Sequence, residues 1–378
     1  VSLAVQELEN LSSIDAETID AFMEGRTFPI VEKGSITFVY RGEAEEVVLQ
    51  HFIFGLPTSQ PFHRLKGTDF WYLTVDVPRK SRIEYKIGLS ERGRRRLIRD
   101  PLNPNEARDP FGANSVCASE GYETPAWTKN DPEARAGSID ELVLGSDVFG
   151  EPRPIQVYLP ARFRRGRKYP LLVVHDGAEY MRYAELKTVL DNLIHRLEIP
   201  SLIAVMTESP RRLEEYAANE THARFIVEEL VPMIEERFPT YRKPEYRGMM
   251  GASFGAVATL HAAWKYPGFF SRLLLQSGSF AFTDIGRHEK GPAFDPVVDF
   301  VNEFRKNPGR PAEKIFVTCG IYESLIYENR SLVPLLQATP MSIRYAESRD
   351  GHTWDNWRDG LRESLSWLFP GPLWMVYE

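Results

Sequence analysis

The sequence predicts an all-β domain followed by an α/β domain, and three observations carry that prediction. From Pro29 to Val116 short strand-like runs recur between Gly, Pro and polar turns, with no helical stretch among them. From Ile139 onward apolar runs of strand length alternate with longer runs of helical period. Between the two regimes Gly121 to Arg135 is rich in Pro and charge, as linkers are. The expected boundaries are 1–120 for an N-terminal helix plus β-sandwich, 121–138 for a linker, and 139–378 for the α/β domain.

Taken in order, Val1 to Glu24 carries helical spacing, with Ser13 expected to cap a helix over Ala16 to Met23. Strands follow at Ser35 to Tyr40, Glu46 to Phe54, Phe70 to Val77 and Arg82 to Leu89. Their regular spacing reads as a small sandwich of the immunoglobulin-like kind. In the second domain Ile155 to Leu159, Leu171 to His175, Leu202 to Thr207 and Arg272 to Gln276 are strands. Helices are expected over Glu179 to Leu197 and Ala223 to Phe238. Lys314 to Gly320 is a continuous apolar run, as in a strand buried on both faces, and Ser342 to Glu347 is a strand-like alternation. Trp354 to Leu368 closes the chain as an amphipathic helix. Such alternation implies a mostly parallel sheet with helices on both faces and reactive groups at the strands' C-terminal edge.

Composition narrows the class. The chain is 378 residues long, 43% hydrophobic and 12% aromatic, enough for substantial cores. A net charge of −7 disfavours nucleic acid and anionic lipid as partners. The basic runs Arg92 to Arg99 and Arg162 to Lys168 therefore read as exposed turns. Two cysteines, Cys117 and Cys319, fall in different domains and form no disulfide framework. Neither a metal-ligand spacing, a membrane span nor a signal peptide is visible, so the expectation is a cytoplasmic protein without a cofactor.

The segment Gly251-Ala252-Ser253-Phe254-Gly255 fits G-x-S-x-G, after an apolar run and before a helical one, Ala256 to Trp264. A serine on a tight strand-to-helix turn exposes its hydroxyl beside the free N–H groups of the helix, which suits a nucleophile. The alternative is an ordinary Gly-rich turn. With this elbow the second domain reads as an α/β-hydrolase, in which serine, acid and histidine follow in that chain order. His261 lies two turns into the elbow helix and His288 in a polar loop with no strand before it. His352 follows the last strand and precedes the last helix, where a general base belongs. Glu323, three residues past the glycine that ends Lys314 to Gly320, is the favoured orienting acid over Glu328, Asp350 and Asp355. A plain helix-dipole role for Glu323 is the competing explanation.

Acyl transfer also needs oxyanion donors. The N–H of Phe254 is one, and the turn after Leu171 to His175 offers Ala178 or Gly177 as the other. Arg211, Arg212 and Arg330 follow strands on the same edge and are candidates for an anion-binding wall, the alternative being solvated surface. Trp354 and Trp357 flank His352 and either roof the cleft or pack the last helix.

These residues resemble the enterochelin (ferric enterobactin) esterase family over nearly the whole chain. In the N-terminal part the likeness rests on Gly67-Thr68-Asp69-Phe70-Trp71, Glu84-Tyr85-Lys86 and Asp100-Pro101-Leu102-Asn103-Pro104. In the second part it rests on His175-Asp176-Gly177, the elbow, Gln276-Ser277-Gly278-Ser279-Phe280, Gly320-Ile321-Tyr322-Glu323, and Gly351-His352 with Trp357-Arg358. The resemblance implies a cytoplasmic serine esterase that cleaves the ester backbone of a ferric catecholate siderophore and frees its iron. Ser253 is then nucleophile, His352 base and Glu323 its orienting acid. Ala256 and Thr353 depart from the family pattern, where a glycine and an acidic residue are common. Feruloyl and acetyl-xylan esterases join a similar sandwich to a similar catalytic domain, and a non-catalytic binding protein on a hydrolase scaffold is the third possibility.

Overall fold

Alternation along the strands assigns each side chain to one face, and the faces assemble two compact units. The computed structural model describes residues 3–10, 14–284 and 288–372. One unit comprises Val1–Thr124 with two later segments, Gly320–Glu323 and Ser348–Thr353; the other comprises Pro125–Cys319, Ser324–Glu347 and Trp354–Glu378.

The first unit holds two antiparallel sheets. One has the order Ile30–Glu32, Ser35–Arg41, Phe70–Asp76, His63–Arg64. The other runs Ser59–Pro61, Glu46–His51, Arg82–Glu91, Gly112–Ala118, Glu106–Asp109, with Arg94–Ile98 pairing with Arg82–Glu91 as a hairpin. Alternate residues Ile36, Phe38, Leu73 and Val75 of the first sheet share one core with Val47, Leu49, Tyr85, Ile87 and Leu89 of the second. The Phe38 and Tyr85 rings meet edge to face at 4.7 Å. The opposite face of the first sheet, through Val39 and Phe70, packs on Ile19 and Phe22 of the helix Ala16–Met23. Asp15 caps that helix by accepting the Thr18 N–H at 2.9 Å. Ser13, the cap expected from sequence, lies outside the described residues.

The second unit is built on eight strands: β1 (Ser138–Ser146), β2 (Glu151–Leu159), β3 (Leu171–His175), β4 (Ile203–Thr207), β5 (Arg247–Ala252), β6 (Arg272–Gln276), β7 (Lys314–Gly320) and β8 (Ser342–Ser348). Their order is β1-β2-β4-β3-β5-β6-β7-β8. β3 runs parallel to β4 and β5, β6 runs parallel to β5 and β7, and β2 is antiparallel to β1 and β4. Successive residues of the central strands enter opposite cores. Val173, Val205, Met249 and Leu273 face one, while Leu172, Ala204, Met250 and Leu274 face the other. Burial on both sides is why these strands read as unbroken apolar runs. β1 escaped the sequence reading because it is a largely exposed edge strand without such a run.

Three expected helices are interrupted, each for a local reason. Glu179 to Leu197 is two helices, Gly177–Tyr183 and Leu186–His195, parted where Glu185 takes φ 50°. Ala223 to Phe238 falls in Glu220–Arg224, a wide π turn at Phe225–Leu230, and Val231–Arg237, where Pro232 lacks the N–H that regular bonding needs. The closing helix breaks at Gly360 into Trp354–Asp359 and Leu361–Leu368. Among the described residues no helix is long and apolar enough to cross a membrane.

One buried ion pair ties the sheet to the segment after β4. Arg153 of β2 donates through both terminal nitrogens to Glu215 at 2.9 Å, with the side chains 1% and 2% exposed. Glu215→Ala leaves the buried guanidinium with only the part-exposed Glu151, 2.9 Å from its Nη2, and should cost about 3–5 kcal/mol in urea unfolding. Replacing both partners, Arg153→Met with Glu215→Leu, should cost clearly less, because no buried charge is left and the more exposed Arg211 and Glu151 still pair with each other.

Candidate active site

The elbow is a single residue. β5 ends at Ala252, the helix Phe254–Lys265 begins at the next residue but one, and Ser253 turns the chain with φ 58° and ψ −120°. A non-glycine residue there is strained, and neighbouring small residues make the turn possible. A Cβ on Gly251 would stand 2.4 Å from the backbone carbon and oxygen of Gly255. A Cβ on Gly255 would stand 3.3 Å from the His175 Cβ. The Ser253 N–H donates to Gln276 C=O at 2.9 Å, and its C=O accepts from the Ser279 N–H at 3.2 Å. The Ser253 Oγ is half-buried, 3.1 Å from the Ser279 Oγ. Phe254 is the first residue of the helix, so its N–H has no intrahelical acceptor and lies beside the Ser253 side chain.

Beneath the elbow lies a buried imidazole pair. The His175 Nδ1 is 3.0 Å from the Thr259 Oγ1, and its Nε2 is 3.0 Å from the Nε2 of His222. Burial pushes His175 down to about 4 and His222 well below its usual value, so both stay neutral at pH 7.

The turn after β3 is fixed by charge. Asp176 takes φ 51° and accepts Arg212 Nε at 2.8 and 2.9 Å and Arg212 Nη2 at 2.7 Å. Gly177 is buried so tightly that a Cβ would stand 2.1 Å from the Met206 Cβ, which explains the glycine. The neighbouring N–H corrects a sequence expectation. That of Ala178 is not an open oxyanion donor in this structure, because it donates to Oε1 of Glu208.

The acid and base candidates meet. Glu323 is buried, with Oε1 accepting the Gly320 N–H at 2.7 Å and Oε2 standing 2.5 Å from the Nδ1 of His352. A carboxylate on Nδ1 holds the proton there and makes Nε2 the basic nitrogen. Both residues belong to the unit that contains the sandwich. Arg82 on its strand Arg82–Glu91 ion-pairs with Asp350 at 3.4 Å and donates to the Thr353 Oγ1 at 3.3 Å, gripping the loop on both sides of His352. The Ser81 Oγ lies 2.6 Å from the Tyr322 hydroxyl, and the Phe54 N–H donates to Tyr322 C=O at 2.8 Å, securing the Glu323 turn. The rival acids have other partners: Asp350 with Arg82, Glu328 with Lys290 at 2.9 Å, Asp355 with Arg358 at 2.6 Å.

The anion wall expected of Arg211, Arg212 and Arg330 is corrected by their pairing. Arg211 meets Glu151 and Glu215 at 3.2 Å, Arg212 is committed to Asp176, and Arg330 is bidentate to Glu347 at 2.6 and 2.7 Å. Each guanidinium already has a carboxylate, so a substrate anion would have to displace it. Trp357 is buried and its indole N–H donates to the Ser277 Oγ at 2.9 Å, while Trp354 stands edge-on to Tyr180 at 5.2 Å. Trp357 thus packs inside the core, while Trp354, part exposed, packs on Tyr180 and Trp357. Sequence reasoning missed Arg82 and Glu208, and named Ser279 only as part of the run Gln276 to Phe280 without a contact to Ser253; Glu208 carried a usable signal, its place directly after β4.

The family model named Esterase, described as "Putative esterase", matches residues 146–368. The chain belongs to this family. It is 25% identical over 337 residues to an iron(III) enterobactin esterase of Escherichia coli O6:H1, covering 81% of this chain and 82% of that one. A solved enterochelin esterase from Shigella flexneri aligns with TM-score 0.72 and 22% identity over 94% of this chain and 98% of its own. That likeness establishes the α/β-hydrolase fold with its N-terminal all-β domain. An endo-1,4-beta-xylanase/feruloyl esterase of Xylanibacter ruminicola is 24% identical over 249 residues, covering 62% of this chain and 31% of its own.

Gly251→Ala forces a side chain onto the backbone of Gly255 and should destabilise the fold by about 1–3 kcal/mol or more in urea unfolding. Gly255→Ala, which meets a Cβ able to shift slightly, should cost less.

Proposed function

We propose that this chain is a serine esterase that opens the ester backbone of a catecholate siderophore of the ferric enterobactin kind. The Ser253 Oγ attacks an ester carbonyl while the Nε2 of His352 takes its proton, and Glu323 steadies the imidazolium that forms. The tetrahedral oxyanion is bound by the Phe254 N–H and by the Ala178 N–H once that donor is vacated. Collapse expels the alcohol, which receives the proton from His352. Water then attacks the acyl-enzyme by the same path in reverse, releasing the acid and restoring the Ser253 hydroxyl. Iron in this scheme is cargo of the substrate.

The observation that carries the reading is the short Glu323–His352 contact, combined with the strained elbow at Ser253. A carboxylate–imidazole pair and an activated serine turn, each following a strand of one sheet, are the parts acyl transfer requires. The siderophore is inferred from the Escherichia coli relative, which is matched over both units' worth of chain. The feruloyl-linked relative leaves more than a third of this chain unmatched. The same reading sets the reaction in the cytoplasm, with a small-molecule ester as partner.

Ser253→Ala should abolish labelling by a fluorophosphonate and lower kcat on ferric enterobactin by about 10³–10⁶-fold. Glu323→Gln should cost about 10²–10⁴-fold, and an unchanged rate would remove it from the reaction. Hydrolysis of a feruloylated sugar in place of ferric enterobactin would overturn the substrate assignment. Arg82→Met should lower kcat about tenfold or more with a smaller change in KM, since it loosens the base without touching the nucleophile.

A further inference from the structure

The Ala178 N–H is occupied, and its occupant is an acid with nowhere to put a charge. Glu208 is the residue after β4, and β4 pairs with β3 so that Thr207 stands opposite His175. This register brings the Glu208 carboxyl to the Asp176-Gly177-Ala178 turn, where its Oε1 accepts the Ala178 N–H. The negative charges of Glu179, from the helix Gly177–Tyr183, and of Asp176 both act on this carboxyl and raise its pKa. Tyr216 faces the cluster from the other side. The nearest cation, Arg212, is engaged with Asp176 through both carboxylate oxygens. Oε2 of Glu179 is buried with no hydrogen-bond partner among the described residues. Burial first, then the charges of Glu179 and Asp176, push Glu208 up to about 8, against the opposing pull of the Ala178 N–H.

We propose that Glu208 is a removable stopper on the oxyanion donor Ala178, one that yields to the substrate oxygen only in its neutral form. The proposal rests on the serine-esterase reading above and names a further residue of that site. A neutral carboxyl accepts the N–H weakly, and its displacement by a developing oxyanion is favourable. An ionised one accepts about twice as strongly and sets a negative charge where the oxyanion must form. The sign follows directly. Below about pH 8 Glu208 is neutral and the donor can be vacated; as pH rises through that value the group ionises and acylation slows. The same group explains why a helix-start N–H so near the elbow is covered in the resting enzyme.

The test is the rate of Ser253 phosphonylation by a fluorophosphonate in the full chain, with each protein normalised to its own rate near pH 7. Between about pH 7 and about pH 9 a single ionisation near 8 should slow the unaltered protein about tenfold. Glu208→Gln cannot ionise and Glu208→Ala has no stopper, so both should lose this decline, and the ratio of variant to parent should rise about tenfold. A ratio that stays constant with pH in both variants overturns the proposal. Normalisation within each protein removes any general loss from imperfect folding. If Ser253 of the unaltered protein is not labelled at any pH, the esterase reading itself fails; labelling with a flat ratio sinks only the role of Glu208.

Discussion

The Glu323 carboxylate is the joint on which this site turns. One oxygen accepts the N–H of Gly320, the last residue of β7, and the other holds the Nδ1 of His352, which follows β8. A single buried anion thus fixes the end of one strand and the orientation of a ring carried by another. It can remain charged there because both oxygens are satisfied, one of them by a group that becomes cationic when it takes a proton.

That joint belongs to the unit containing the β-sandwich. Arg82, buried on the strand Arg82–Glu91, pairs with Asp350 and reaches Thr353, so the loop bearing His352 is braced on both sides by a sandwich strand. The serine belongs to the other unit, on a turn whose glycines permit a backbone close approach that no side chain would allow.

Charge pairing divides the remaining polar groups sharply. Arg153 with Glu215, and Arg212 with Asp176, lock the segment after β4 and the turn after β3 to the sheet. With those cations committed, Glu208 keeps only the Ala178 N–H as a favourable partner, and burial with the nearby charges of Glu179 and Asp176 pushes its carboxyl up to about 8. A buried acid with a raised pKa is costly to fold, and such cost is tolerated where a group must change state during function.

The sequence alone determined the alternation of buried strands and helices, because a strand covered on both faces must be apolar at every position, as Leu171–His175 and Lys314–Gly320 are. It determined the elbow too, since G-x-S-x-G between a strand and a helix leaves few conformations open. It proposed Glu323 and His352 from their places after successive strands. Their contact, the pairing of Asp350 and Asp355 with arginines, and the burial of Trp357 were decided only in three dimensions. So were the arginine pairings and the capture of the Ala178 N–H by Glu208. Local pattern encodes which face a residue occupies and where a strand ends, but hydrogen bonds that side chains make to groups 29 or 30 residues away depend on how strands order and stagger in the sheet. No local signal carries that register.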